Sequence, residues 1–489
     1  MPTLVRSRIA YAFRVFAAIY GHEVRDHHNR GGALRCVYGG RPESSGSEAV
    51  PANVLHIPAR YVARPLREPA PSPVPSCYAG EEIYLFHGRD KISGDPDCPG
   101  EIFEWLSGAH EMSVWERDTV GRVAYEHSVF VRHAISPLRP HASLVMAWLE
   151  NLIAGRRGEE NLPPAPSPLP EARHLVVASH DIDFYFAGRW GSLVRILKNL
   201  AIGAVVARSH AFFTDSCRQL FRLAAGARVG DFLPELLERT QAAGASSTFF
   251  VLARREHRRD ANYILPQIAP RLRQIGKAGC AIALHGSYRS IVENSNLDSE
   301  AAVLASETGE RPRGSRQHWL RFDRPDKLFA SVEQAGFEYD SSWGWPGQIG
   351  FRNGAAFAFP AYNFAREEAY KFLVIPLIIM DQGLQAARRR SATEPVELAQ
   401  TVLEESRRWG WGGVSVLWHN PVEPLSVCDG VNRIFWQQME ARSEHQERWI
   451  SAEEFLDISL ARYQNAGLLQ GVPPESHADR LTPVMGRES

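Results

Sequence analysis

From residue 173 onward the chain alternates short apolar runs with amphipathic ones, and this alternation limits the fold more than any other feature of the sequence. Strands are expected over 174–180, Ser247–Leu252, Ala281–Leu284, Val374–Met380 and Val414–Trp418. Helices are expected over 231–243, 263–278, 325–335, 396–409 and 452–464. Strand followed by helix, several times over, implies parallel strands joined by crossover helices, in an open sheet or a (β/α) barrel. The sequence shows no internal repeat at the periods of common solenoids.

A proline-rich stretch, 159–172, precedes the first of these strands and has the composition of an interdomain linker. It divides the chain into an N-terminal domain (1–158), a larger domain (173–465) and a C-terminal tail (466–489). In the first domain, helices are expected over 7–20, 100–112 and 141–154, and short strands over Ala33–Tyr38 and Asn53–Pro58, which makes it a smaller mixed α/β unit. The prolines of 66–76 read as a loop, since they fix φ and remove donors. A chain of 489 residues, 44% hydrophobic and 23% charged, is ordinary globular material. Its formal charge of −1 points to no nucleic-acid partner. Six scattered cysteines without a CxxC argue against a cysteine zinc site or a disulfide scaffold and suit a reducing compartment. Arg14 interrupts the apolar N-terminus, and no window approaches the roughly 20 apolar residues of a membrane span, so a cytoplasmic location without a membrane span is expected.

The strand ends carry the chemistry. His174–Ser179 runs into His180-Asp181-Ile182-Asp183, the 281–284 run ends at His285, the 374–380 run at Asp381, and the 414–418 run at His419. The carboxyl ends of parallel strands share one face, where ligands bind. Alternation sends Asp181 and Asp183 to the same side, and two close carboxylates call for a cation or a shared proton. Asp183 and His285 are therefore candidate ligands for a divalent metal such as zinc, the alternative being a capping Asp and a hydrogen-bonded His. Asp181 is a candidate general base or a turn cap, and His419 a candidate general acid or a core histidine. Asp381 is either a partner of His419 or the cap of its own strand.

Taken in order, Ser179–Asp183, Ser247–Phe250, Leu284–Tyr288, Arg313–Phe322, Gly336–Ser342 and Leu417–Asn420 resemble the polysaccharide-deacetylase (NodB-homology) family over roughly residues 172–465. Glu101–Ser107 and Asp118–Arg122 look like the uncharacterised region that precedes the catalytic domain in some members. The resemblance implies a distorted (β/α) barrel that hydrolyses an acyl amide, usually the N-acetyl group of an amino sugar, with a divalent metal. It implies Asp181 as base, Asp183 and His285 as ligands, Arg316 as the cation that orients the base and keeps it ionised, and His419 as the acid that protonates the leaving amine.

One position departs from the pattern. The family places a second His four residues after the first, and here that residue is Arg289, which has no lone pair to give a metal. His318 is the best replacement, either as ligand or as a neighbour that contacts substrate; His180 is a further candidate, although alternation turns it away from Asp183. Trp343-Gly344-Trp345 and Gly350–Gly354 read as an exposed carbohydrate platform or as ordinary loop packing. The leading reading is a metal-dependent deacetylase of an N-acetylated sugar or glycan precursor. Hydrolysis of another non-peptide amide and a catalytically impaired carbohydrate-binding protein are the alternatives.

Overall fold

The computed structural model describes residues 3–23, 35–39, 54–157, 174–186, 188–205, 210–226, 229–291, 297–390, 394–411, 413–419 and 431–469. The expected linker, 159–172, and most of the tail lie outside them. The N-terminal part holds α1 (Thr3–Tyr20), β1 (Arg35–Tyr38), β2 (Val54–Ile57), β3 (Val74–Tyr78), β4 (Glu81–Leu85), α2 (Cys98–Ser107), α3 (Ala109–Met112), α4 (Val129–Arg132) and α5 (His141–Arg157). It is followed by β5 (His174–Ile182), α6 (Arg189–Val205), α7 (His210–Ala224), α8 (Leu233–Ala242), β6 (Thr248–Leu252), α9 (Leu265–Lys277), β7 (Ala281–Gly286), α10 (Leu297–Thr308), β8 (Gly314–Gln317), α11 (Pro325–Gln334) and β9 (Tyr339–Asp340). Last come β10 (Phe359–Asn363), β11 (Glu368–Val374), β12 (Leu377–Met380), α12 (Asp381–Arg390), α13 (Pro395–Trp409), β13 (Gly413–Leu417), α14 (Val431–Glu440), β14 (Glu447–Ile450) and α15 (Ala452–Asn465).

The main sheet has the order β10-β11-β9-β8-β7-β6-β5-β13-β12, and only the β10–β11 pair is antiparallel. The fold is thus α/β with a curled parallel sheet, a distorted barrel left open between β10 and β12, which do not pair with each other among the described residues. β5 is the hub. Its first half pairs with β14 and its second half with β6, while β13 runs along the other edge. Every residue of β5 is buried, as expected for a strand covered on both faces. Because the strands around it are parallel, the chain leaves β5, β7, β8, β12 and β13 at one rim, where the polar residues lie.

Two expectations fail on proline. The 374–380 run is the end of β11 and the whole of β12, because Pro376 between them removes a ladder donor and lets the chain change neighbours from β9 to β13. The 66–76 stretch is not loop throughout, since Val74, Pro75 and Ser76 begin β3. A two-stranded ribbon tolerates this proline, because each strand has a free edge on which no N–H is needed. At the start of β8 a Cβ on Gly314 would lie 1.9 Å from the Tyr339 ring, so only glycine lets β9 pack there.

The N-terminal elements and the sheet share one hydrophobic core. Val15 and Phe16 of α1, Ile102 and Trp105 of α2, and Leu456 and Tyr463 of α15 belong to the same buried cluster as β5 to β7. Polar contacts reinforce it. Arg8 donates to both oxygens of Glu367 at 2.9 and 2.7 Å, and the Tyr11 hydroxyl donates to the Pro360 carbonyl at 2.7 Å.

Candidate metal centre and catalytic cavity

The rim of the sheet encloses a cavity of about 200 Å³ whose lining includes Asp181, Asp183, His285, His318 and His419. Arg316 lies beneath it, buried against the Phe250 ring with its Cζ 4.0 Å from the centroid. Its Nη1 donates to Asp181 Oδ1 at 2.7 Å and to Ser179 Oγ at 3.0 Å, and its other nitrogens donate to the carbonyl and hydroxyl of Ser341. The guanidinium is thus held on two sides, and the register of β7 against β8 sets His285 beside it. Burial pushes the Asp181 carboxyl upward, but Arg316, His285 and His419 outweigh it and hold the group below the usual carboxylate range.

Asp340 and the serines after it buttress this arrangement. The Asp340 carboxyl accepts from Ser315 Oγ, Ser342 Oγ and Ser342 N, and Ser342 Oγ accepts from Gln317 N at 2.9 Å. The stretch 340–342 therefore fixes β8 in place from below. Burial raises the Asp340 carboxyl to about 6 despite these donors.

Asp183 has a different environment. Its Oδ1 is buried without a hydrogen-bond partner among the described residues, and it faces His318 Nε2 at 3.4 Å and His285 Nε2 at 3.5 Å. His419 Nε2 approaches Oδ2 at 3.7 Å. One ligand atom from each of Asp183, His285 and His318 falls within 4.8 Å of the others, the arrangement a cation needs. His285 is already oriented for it. Its Nδ1 donates to the Arg316 carbonyl at 2.8 Å, so in the neutral ring Nε2 carries the lone pair and points at both carboxylates. Burial pushes the Asp183 carboxyl up, yet His318, His285 and His419 together hold it well below the usual range. An orphaned carboxylate oxygen converging with two imidazole nitrogens fits a divalent metal with nitrogen and oxygen ligands.

Burial opposes a charge on His318, but Asp183 and Asp260 outweigh it and raise the ring to about 9. Asp260 stands 3.9 Å from Nδ1 and is itself held by the backbone N–H groups of Glu256, His257 and Tyr288. His419 has a closer partner. Its Nδ1 lies 2.8 Å from Asp381 Oδ1, its backbone N–H donates to Oδ2 at 3.0 Å, and Asp381 also opens α12. Asp381 is therefore the partner of His419, and its Oδ1 also accepts from the Gln382 N–H at 2.7 Å at the start of the helix. Desolvation disfavours the imidazolium, but Asp381, Asp183 and Asp181 raise His419 to about 10.

Arg289 is exposed and does not line the cavity. His180 points away, with Nδ1 donating to the Trp418 carbonyl at 2.8 Å and its ring between Phe249 and Phe435; burial lowers it to about 4. The carbohydrate-platform reading is overturned, because Trp343 and Trp345 are each only 1% exposed and pack in the core. Several lining residues escaped sequence reasoning. Asp260 and Arg259 sit in the charged run 254–260, which has no apolar period to mark it. Arg122 comes from the N-terminal part, pairs with Asp118 at 2.7 Å and donates to the Trp319 carbonyl. Trp319 and Leu320, directly after His318, adopt positive φ values of 65° and 48°, a strained turn at the cavity wall.

No family model matches the chain, and no curated protein matches it. Solved structures do. A Mycobacterium smegmatis protein named as a polysaccharide deacetylase is 16% identical, aligned over 62% of this chain and 96% of its own at a TM-score of 0.37. The peptidoglycan deacetylase PdaC from Bacillus subtilis is 10% identical over 60% and 95%, with a TM-score of 0.28. A family 4 carbohydrate esterase from Streptomyces lividans, in complex with acetate, is 11% identical over 57% and 92%, with a TM-score of 0.28.

Proposed function

We propose that this chain is a metal-dependent deacetylase of an N-acetylated sugar or glycan precursor. The observation that carries the reading is the division of labour between two carboxylates in one cavity: Asp181 paired with Arg316 through Oδ1, and Asp183 converging with His285 and His318 through an unpartnered oxygen. When bound by Asp183, His285 and His318, a divalent cation, zinc by its ligand preference, supplies the Lewis acidity that polarises the acyl carbonyl and lowers the pKa of water.

The remaining steps belong to the protein. Arg316 occupies Asp181 Oδ1, so Oδ2 is the oxygen that takes a proton from the attacking water. The new C–O bond forms at the acyl carbon. As the C–N bond breaks, His419 gives the Nε2 proton to the leaving amine, while Asp381 at Nδ1 holds the ring in position and stabilises its cation. Acetate and a free amine are the products. His318 fills the role expected of the imidazole absent at Arg289, which weighs against an impaired binding protein. Scattered cysteines without a CxxC support a reducing, cytoplasmic setting.

The test combines metal analysis of the purified protein with acetate release from N-acetylated sugars. One equivalent of metal per chain and metal-dependent acetate release are expected. His318→Ala should lose the metal; full occupancy in that variant would remove His318 from the ligand set. Metal-free protein that binds sugars without releasing acetate after metal addition would overturn the deacetylase reading.

A further inference from the structure

We propose that the α6–α7 hairpin is an interfacial docking element that seats the protein on an anionic lipid surface. The hairpin is inserted between β5 and α8, and its two helices pack mainly on each other through a small core of Ile196, Leu223 and Val229, with Leu193, Leu200 and Leu220 around it. That core accounts for one apolar face of α6. The helix has a second.

Trp190, Val194, Leu197 and Ala201 recur at i, i+4, i+7 and i+11, and all four are exposed, the first three at 74, 52 and 51%. A helix that is apolar on both faces belongs in a buried position, yet here the outer face meets solvent. α7 repeats the pattern with Phe213, Cys217, Phe221 and Ala224, of which Phe221 is 76% exposed. Isolated apolar side chains on a surface need no explanation, but two successive stripes on one hairpin do.

Charge selects the occupant. The described residues of α6 and α7 carry the exposed Arg189, Lys198, Arg218 and Arg222 against a single acidic residue, Asp215, while Arg195 turns inward over the Phe186 ring, Arg222 stands 3.9 Å from Glu235 of α8, and the chain as a whole is close to neutral. Apolar stripes flanked by cations match an interface of acyl chains and anionic headgroups, where the rings sink to the headgroup boundary and the long basic side chains reach phosphate. Among the described residues no helix is long and apolar enough to cross a membrane, so the hairpin would lie in the surface. Phe184, 62% exposed and part of the cavity lining, precedes α6 by five residues, which brings the catalytic mouth close to the same interface.

Flotation of the full chain with vesicles tests this. Binding to phosphatidylcholine vesicles containing phosphatidylglycerol is expected, with little binding to phosphatidylcholine alone and weakening as salt is raised. The triple variant Trp190→Ser, Leu197→Ser, Phe221→Ser should lower binding by more than about tenfold with an unchanged thermal melt. Lys198→Glu with Arg222→Glu, which leaves the apolar stripes intact, should remove the preference for anionic vesicles. No binding to either vesicle, or binding untouched by both variants, would overturn the proposal. So would a dimer in light scattering that the triple variant converts to monomer, because the stripes would then cover a second copy of the chain. Neither result bears on acetate release, so the catalytic reading stands or falls separately.

Discussion

Arg352 and Arg316 are both buried beneath an aromatic ring and both hold a buried carboxylate, but they hold it differently. Arg352 spans both oxygens of Glu111 at 2.7 Å each, gives its remaining nitrogen to the Gly344 carbonyl and lies over Trp345. Every strong acceptor there is used, and the pair ties α3 to the loop after β9. Arg316 takes only Oδ1 of Asp181 and spends its other donors on Ser179 and Ser341, so that Oδ2 faces the cavity. The first pair is closed and fastens two parts of the chain. The second is open, and the open oxygen is where chemistry can occur.

Asp181→Asn sharpens this contrast most. It keeps the shape and leaves the metal ligands alone, so metal content should be unchanged while acetate release falls by about 10³-fold; undiminished turnover would remove Asp181 from the base role. Arg352→Leu addresses the closed pair. It strands Glu111 in the core, and urea unfolding should show a loss of about 3–5 kcal/mol with the metal stoichiometry retained in the folded protein. A stability change near zero would mean that Glu111 finds another partner or a proton.

Glu300 offers a third kind of buried carboxylate. It accepts from Ser287 N at 2.9 Å and Ser287 Oγ at 2.6 Å, and burial raises it from 4.5 to about 7 in spite of those donors. The folded state therefore binds a proton that the unfolded state releases, and stability from this group is lost as pH rises from 4.5 to 7. Chemical denaturation across that window should show a decline of up to about 3 kcal/mol attributable to it, and Glu300→Gln should flatten the slope. An unaltered slope in the variant would assign the proton elsewhere. The smallest effect is expected at Arg122, whose contact with the Trp319 carbonyl steadies the turn after His318. Arg122→Ala should lower kcat/KM by about tenfold without changing the unfolding midpoint; unchanged kinetics would show that the N-terminal part does not bear on the site.

Local signals in the sequence account for much of this site. The apolar run ending at Asp181 and Asp183 already required a buried strand and two carboxylates on one side, because side chains alternate along a strand. His285 and His419 were visible for the same reason, each standing where an apolar run stops. Arg316 was not visible by periodicity, since β8 has only four residues and reads Gly-Ser-Arg-Gln; it was reached through resemblance alone. Asp260 gave no usable signal, and Arg122 stood out only within Asp118–Arg122, a stretch the resemblance marked without assigning it a role. Their neighbours in sequence are charged or turn-forming, and what brings them to the cavity is the path of loops over the rim.

The sequence by itself determined the parallel α/β order, the rim on which the polar residues gather and the absence of an imidazole at Arg289, all of which follow from side-chain period and residue chemistry. Tertiary structure alone decided which groups meet. The pairing of β7 with β8 sets His285 against Arg316, the strained turn at Trp319 follows directly on His318 beside Asp183, and Arg122 meets the Trp319 carbonyl across a sequence separation of 197. It also buried Trp343 and Trp345 and left Trp190 and Phe221 in solvent, although all four are aromatic residues in apolar company. The physical reason is that burial and distance depend on the whole packing, which no local period encodes.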